Sequence, residues 1–194
     1  MEKEEDMIYF ITSNNNKFNE IAKMFKDEGL SYRLKQLNMK TTEIQADSVK
    51  ENGSFKLNSV KLEVDASCFV EDAGFFVDNP LNGFPGVYSS YVFKTIGNEG
   101  ILRLIDDFEH SKAHFITIIA FFFKPLGEDF FFEGRVDGRV SEEMRGSKGF
   151  GFDPIFIPDK IKNKTFAELT TKEKNSISHR GIAWKKMIEF LKRN

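Results

Sequence analysis

Two aromatic-rich runs flanking a short turn constrain the fold of this chain more than any other feature. Ala113 to Lys124 carries Phe121-Phe122-Phe123, and Asp129 to Val140 carries Phe130-Phe131-Phe132, with Pro125-Leu126-Gly127-Glu128 between them. Aromatic and β-branched residues favour strands, and the proline-glycine turn stops one run and starts the next, so the pattern predicts a long β-hairpin. With Phe75-Phe76, these runs read as strands buried on both faces, or packed on one face and part of an interface on the other. A nucleic-acid surface would use aromatics as stacking platforms among basic side chains, but these Phe runs have no interleaved Lys or Arg. Phe115 to Phe123, the longest apolar stretch, is too short to cross a bilayer.

The remaining elements alternate between strand and helix patterns. Met7 to Thr12 reads as a first strand, followed by a polar loop and a helix over Phe18 to Glu28, with Phe18, Ile21, Ala22 and Phe25 at helical spacing. Gly29 suits its C-terminal cap. Tyr32 to Leu37 reads as a second strand. Asp47 or Ser48 can cap a helix reaching about Val64. Cys68 to Val77 reads as a strand broken by an acidic turn, and Glu99 to Phe108 as a short helix. Thr170-x-x-Glu173 is a capping box, and Ser178 can cap the last helix, whose inward stripe is Ile182, Met187, Ile188 and Leu191. This predicts a mixed α/β fold with a long, curved central sheet flanked by helices. At 194 residues, without repeats or a linker, the chain fits one domain spanning residues 1–194.

Charge excludes some functions. Lys and Arg total 28 against 30 Asp and Glu, a net charge of −2, so no global field recruits nucleic acid or an anionic membrane. The acidic start Glu2-Lys3-Glu4-Glu5-Asp6 is the opposite of a signal peptide, and residues 1–6 are expected to fray. Cys68 is the single cysteine, which fits a reducing cytoplasm. Beside Phe69 and Val70 it reads as core rather than as a nucleophile.

Four motifs carry the chemistry. Gly146-Ser147-Lys148-Gly149-Phe150-Gly151-Phe152-Asp153-Pro154 suits neither a core strand nor a helix. Its glycines let the backbone approach a ligand or adopt positive φ. Phe150 and Phe152 offer faces on which a base can stack, and Asp153 offers an acceptor to orient it. Thr12-Ser13-Asn14-Asn15-Asn16-Lys17 links a strand to a helix start, where free backbone N–H groups and the helix dipole favour an anion. The loop lacks the Gly-Lys-Ser/Thr ending of a Walker A motif, and its alternative reading is an ordinary capping loop with a solvated lysine. Phe69-Val70-Glu71-Asp72-Ala73-Gly74 sets two acids in an apolar strand, where a carboxylate needs a partner such as a divalent metal. Alternation sends Glu71 and Asp72 to opposite faces, so one of them looks into a site. Ser178-His179-Arg180-Gly181 opens the last helix, where the dipole disfavours Arg180 and hints at a specific partner. Read alone, Glu43 is a residue near a helix start and Lys61 a solvated helix lysine.

With Asn82-Gly83-Phe84-Pro85-Gly86-Val87-Tyr88-Ser89-Ser90, and from about Ile8 to Leu191, these motifs resemble the inosine/xanthosine triphosphate pyrophosphatase family. The stretch between Glu43 and Asp72, and Ser89-Ser90-Tyr91-Val92, look most like archaeal members. The resemblance implies two lobes around an active-site cleft and Mg²⁺-dependent hydrolysis of ITP, dITP and XTP to the nucleoside monophosphate and pyrophosphate. It selects Asp72 as the base that activates water, and Glu43 with Asp72 as metal ligands. It gives Thr12 to Lys17 and Lys61 to the triphosphate, and Phe150, Gly151, Phe152, Asp153, Lys174, His179 and Arg180 to the purine. At the Ala73 position most relatives carry serine, so the hydroxyl that would donate to a substrate phosphate is missing here. Phe152 stands in place of the usual tyrosine, with the stacking face retained. The resemblance further implies a cytoplasmic homodimer without nucleic-acid or membrane partners. The readings kept beside it are a pyrophosphatase for modified pyrimidine nucleotides, which His179-Arg180 argues against, and a non-catalytic nucleotide- or RNA-binding module.

Overall fold

In the computed structural model, residues 6–106, 108 and 111–194 are described. Most of the segment expected to fray lies outside them. The fold is mixed α/β, with a seven-stranded sheet and six α-helices among the described residues. The strands are β1 (Met7–Ile11), β2 (Arg33–Leu37), β3 (Ser67–Val77), β4 (Phe84–Gly86), β5 (Lys112–Phe123), β6 (Glu128–Val140) and β7 (Phe156–Pro158). The helices are α1 (Asn15–Asp27), α2 (Val49–Asn58), α3 (Ser89–Thr95), α4 (Gly97–Leu104), α5 (Thr171–Ile177) and α6 (His179–Leu191). Sheet order is β2-β1-β3-β5-β6-β7, with β4 paired to β3. β1 runs parallel to β2 and β3, with Tyr9 beside Lys35 and Cys68. β5 and β6 are neighbours joined by four residues, too few for a parallel crossover, as the aromatic runs predict.

The chain divides into two compact units. The first comprises 1–72, 118–133 and 183–194, the second 73–117 and 134–182. Each has its own apolar core. In the first, Ile8, Phe10, Phe69, Ile119 and Phe121 pack with Ile21 of α1 and with Trp184, Met187 and Ile188 of α6. Phe130 and Phe132 lean onto Phe190 at ring separations of 4.4 and 5.7 Å, while Phe131 stays exposed with the Lys50 ammonium 5.3 Å over its ring. This alternation is what β6 imposes on three consecutive phenylalanines. In the second unit, Phe75, Phe115, Phe152, Phe156 and Phe166 form an aromatic core with Ile101 and Ile155.

Local signals predict most helix ends. Asn14 caps α1 by accepting from the amides of Asn16 and Lys17, and so starts the helix ahead of the expected Phe18. Gly29, at φ +61°, follows its end. Ser48 caps α2, and Thr170 with Glu173 forms a complete capping box on α5. Ser178 Oγ accepts from the Gly181 amide at 3.1 Å as α6 begins.

Three expectations need correction. α2 stops at Asn58 rather than near Val64, and a separate 3-10 turn covers Lys61–Glu63. At its end Ser59 Oγ donates back to the Lys56 carbonyl at 2.7 Å, the local competition by which serine weakens a helix. β3 is unbroken from Ser67 to Val77, because both acids have partners and need no turn. Gly74 lies inside it, where a Cβ would stand 2.8 Å from the Gly86 carbonyl, so glycine there admits β4. The helix expected over Glu99 to Phe108 runs from Gly97 to Leu104. Asp107, at that expected end, is outside the described residues.

Candidate functional site

Within the first unit, residues from three parts of the sequence converge on Asp72. Its two carboxylate oxygens are held separately: Asn52 Nδ2 donates to Oδ2 at 2.7 Å and Lys56 Nζ to Oδ1 at 3.0 Å. Asn52 and Lys56 lie four residues apart on α2, hence on one helical face. The same ammonium reaches Glu43 Oε1 at 2.6 Å, so two carboxylates bracket one cation. Burial alone would lower the Lys56 pKa, but the neighbouring charge of Asp72 and the Glu43 contact outweigh it and raise the pKa above the usual lysine value. Lys56 therefore stays an ammonium throughout the neutral range.

Glu71 points to the other side of β3, as alternation requires, and its buried carboxylate meets Lys17 Nζ at 2.5 Å. Lys17 also donates to the Glu71 carbonyl at 3.2 Å. The loop ahead of α1 is fixed by local bonds. Thr12 Oγ1 accepts from the Asn14 amide at 3.1 Å, and Gln36 Nε2 of β2 donates to the Thr12 carbonyl and to Asn15 Oδ1. Ser13, Asn14, Asn15 and Asn16 are exposed beyond these anchors.

Lys61 is placed elsewhere. Its ammonium pairs with Asp129 Oδ2 at 2.5 Å and lies 5.8 Å over the Phe122 ring. Lys56, which the sequence reading passed over, is the lysine that meets Asp72. Its spacing from Asn52 is the signal that could have found it. Cys68 is fully buried, and burial with the Asp129 charge pushes its thiol up to about 12, so it remains a neutral core group.

Within the second unit, a buried ion pair organises the glycine-rich loop. Lys174 Nζ of α5 donates to Asp153 Oδ2 at 2.7 Å, with each side chain only 4 % exposed. The same oxygen accepts from the Phe150 amide at 2.8 Å. Gly149, at φ +74°, is obligatory here, because a Cβ would lie 2.1 Å from that oxygen. The loop presents the Phe150 ring with the Lys174 ammonium 4.9 Å and the Arg180 guanidinium 5.3 Å from its centroid. Both cations exploit the negative ring face. His179 stacks flat on Phe115 at 4.5 Å, and His179 and Arg180 are both almost completely buried. Gly181 allows α6 to leave at this point, since a Cβ would stand 1.9 Å from the Asn175 carbonyl.

Phe152 differs from its expected use. Its ring is buried, stacked on Phe75 at 4.9 Å and edge-on to Phe93 at 5.4 Å. It supports the loop from within the core, whereas Phe150 is only partly buried. Ala73 is half-buried on β3, between Asp72 and Gly74.

The Ham1 family model matches residues 8–190, nearly all of the described fold. This chain belongs to the Ham1 family. It is 48 % identical to the dITP/XTP pyrophosphatase of Thermococcus kodakarensis, over 95 % of this chain and 97 % of that protein. It is 45 % identical to the dITP/XTP pyrophosphatase of Pyrococcus horikoshii, over 96 % and 97 %. Among solved structures, the Coxiella burnetii HAM1 protein superposes with a TM-score of 0.82 at 25 % identity, covering 97 % of this chain and 99 % of that one. The Staphylococcus aureus Ham1 protein gives 0.78 at 27 % identity, over 96 % and 98 %. The archaeal-like membership expected from the sequence agrees with these two relatives.

Proposed function

We propose that this chain is a Mg²⁺-dependent nucleoside triphosphate pyrophosphohydrolase. It hydrolyses ITP, dITP and XTP to the nucleoside monophosphate and pyrophosphate and so removes them from the nucleotide pool. The observation that carries this reading is the Phe150 ring with two cations, Lys174 and Arg180, over it. Such a surface stacks a purine ring and supplies hydrogen-bond donors. Hypoxanthine and xanthine present an acceptor at the 6-oxo position, whereas adenine presents an amino donor. Donors from His179 and Arg180 are satisfied by the first two bases and opposed by adenine. Ham1 membership and relatives named dITP/XTP pyrophosphatases support the reaction class.

The first unit carries the phosphate chemistry. Glu43 and Asp72 are hard oxygen donors already gathered around one positive charge, a donor set that fits a divalent cation. When bound, Mg²⁺ offsets charge on the phosphate oxygens. Asp72, held by Lys56 on one oxygen and by Asn52 on the other, accepts a proton from the attacking water. That water adds to the α-phosphorus, and the bond to the bridging oxygen breaks with departure of pyrophosphate. Thr12 to Lys17 bind the triphosphate with their hydroxyl, amide and ammonium donors. Glu71 holds Lys17 in place rather than sharing the proton transfer. This reading places the enzyme in the cytoplasm as a homodimer, which sedimentation of the purified protein checks. Among the described residues, no helix is long and apolar enough to cross a membrane.

A nucleotide panel with product analysis tests the function. Pyrophosphate and IMP should appear from ITP with Mg²⁺, and ATP should be a poor substrate. Stepwise orthophosphate release through IDP, or full activity in EDTA, would overturn the proposal.

A further inference from the structure

The loop that carries Phe150 is held at Asp153 by Lys174 and at Phe152 by the core, but its glycines have no side chain to anchor them. Gly149 and Gly151 sit at φ +74° and +64°, in conformations that glycine adopts freely and that unfolded glycine equally leaves. Asp153 closes one side of the turn by accepting from the Phe150 amide, and the Asp153 amide returns a bond to the Phe150 carbonyl at 3.3 Å. These contacts lie within the loop. They set its curl but do not fix it to the scaffold at Gly151.

That tether comes from another element. Asn98, in the first turn of α4, donates from Nδ2 to the Gly151 carbonyl at 3.1 Å. Three residues further on, fully buried Ile101 fixes α4 in the second unit's core. The other half of the Asn98 amide, Oδ1, is buried without a hydrogen-bond partner. A buried, half-satisfied amide is unfavourable for stability compared with an apolar side chain of the same size. Its one bond goes to the residue between Phe150 and Phe152.

We propose that Asn98 is a positioning residue for purine recognition: it anchors Gly151 so that the Phe150 ring is held in place beside Lys174 and Arg180. The proposal rests on the function given above. Asn98 touches neither base nor phosphate, so it acts on binding through the loop. Its loss should weaken all purine nucleotides together, because ring stacking is indifferent to the exocyclic groups.

Asn98→Leu and Asn98→Asp test this. Both remove the donor, but Leu also removes the unpaired oxygen. For Asn98→Leu, KM for ITP and XTP should rise about three- to tenfold, the range for one neutral hydrogen bond. kcat should stay within about twofold, the ITP:ATP ratio should hold, and Tm should equal or exceed that of the unsubstituted protein. Calorimetry with IMP should show weakening by the same factor. Asn98→Asp should raise KM similarly while lowering Tm, so binding follows the donor and stability does not. Unchanged KM in both variants, or KM, kcat and Tm all worsening together in Asn98→Leu, overturns the inference. Phe150→Ala is the control. If it weakens IMP binding and Asn98→Leu does not, this inference alone fails. If the unsubstituted protein binds no IMP, the functional reading fails first.

Discussion

Two of the ion clusters among the described residues, one in each unit, use the same chemistry, lysine on aspartate, in opposite settings. Lys174 and Asp153 in the second unit are each 4 % exposed at the side chain and bonded at 2.7 Å. Lys56 in the first unit shares its charge between Asp72 and Glu43, and the Glu43 side chain is 66 % exposed. Removing one partner of a buried pair leaves an uncompensated charge, at a cost of about 3–5 kcal/mol, whereas an exposed pair contributes about 1 kcal/mol or less. The second cluster is therefore a rigid structural post for the glycine-rich loop, which the proposed function uses for recognition. The first can be opened at Glu43 with little loss of stability, which on the proposed function suits carboxylates that exchange an ammonium for a metal and water. Selectivity needs fixed donors, and hydrolysis needs groups that can be reached.

The largest test of that contrast is Asp72→Asn. Turnover should fall by about two to four orders of magnitude, the range for loss of a general base. Tm should also fall, because the amide has a single acceptor for two donors and sets its NH2 against the other, beside a buried ammonium. Pyrophosphate release and a melting curve check both parts, and near-normal turnover in a folded protein would break the assignment.

Next is Arg180→Ala, which should lower kcat/KM for ITP by about 10–100-fold, as loss of a charge-assisted hydrogen bond implies. Activity toward ATP should barely move, so the ITP:ATP ratio collapses. Arg180 is buried, so Arg180→Lys serves as a second variant that keeps the charge but loses the planar fork. Equal losses for ITP and ATP in both variants would make Arg180 a phosphate or structural residue.

A smaller effect separates two lysines. Lys56→Gln should reduce kcat/KM by at least about tenfold, since the ammonium facing Asp72 is lost. Lys61→Gln should stay within about threefold, because a partly exposed pair with Asp129 contributes little. Steady-state kinetics of both variants decide it, and the reverse order would support the phosphate contact expected of Lys61.

Smallest is Ala73→Ser. A new hydroxyl beside Asp72 should raise activity by about two- to tenfold if substrate phosphate lacks a donor there. No change in kcat/KM would mean that another group already supplies it.

The sequence by itself determined what depends on near neighbours. Residues within a few positions of each other set the two long aromatic strands, the Asn14 and Ser48 caps, the Thr170-Glu173 box and the Gly29 stop. These follow from hydrogen bonds spanning three or four residues and from side-chain periodicity. The motif order also marked Asp72, Phe150 and Arg180 as members of a site. Tertiary structure decided the partners. Lys56 rather than Lys61 meets Asp72 because α2 ends at Asn58 and turns Asn52 and Lys56 toward β3, while the chain beyond carries Lys61 to Asp129. β3 runs straight through its acids because Lys17, Asn52 and Lys56 arrive from distant segments to neutralise or bond them. Phe152 enters the core because Phe75 offers a ring to stack on, a choice no local pattern contains. Backbone propensity is a local energy, but the pairing of a buried charge or ring is set by whichever side chains the fold brings within contact distance.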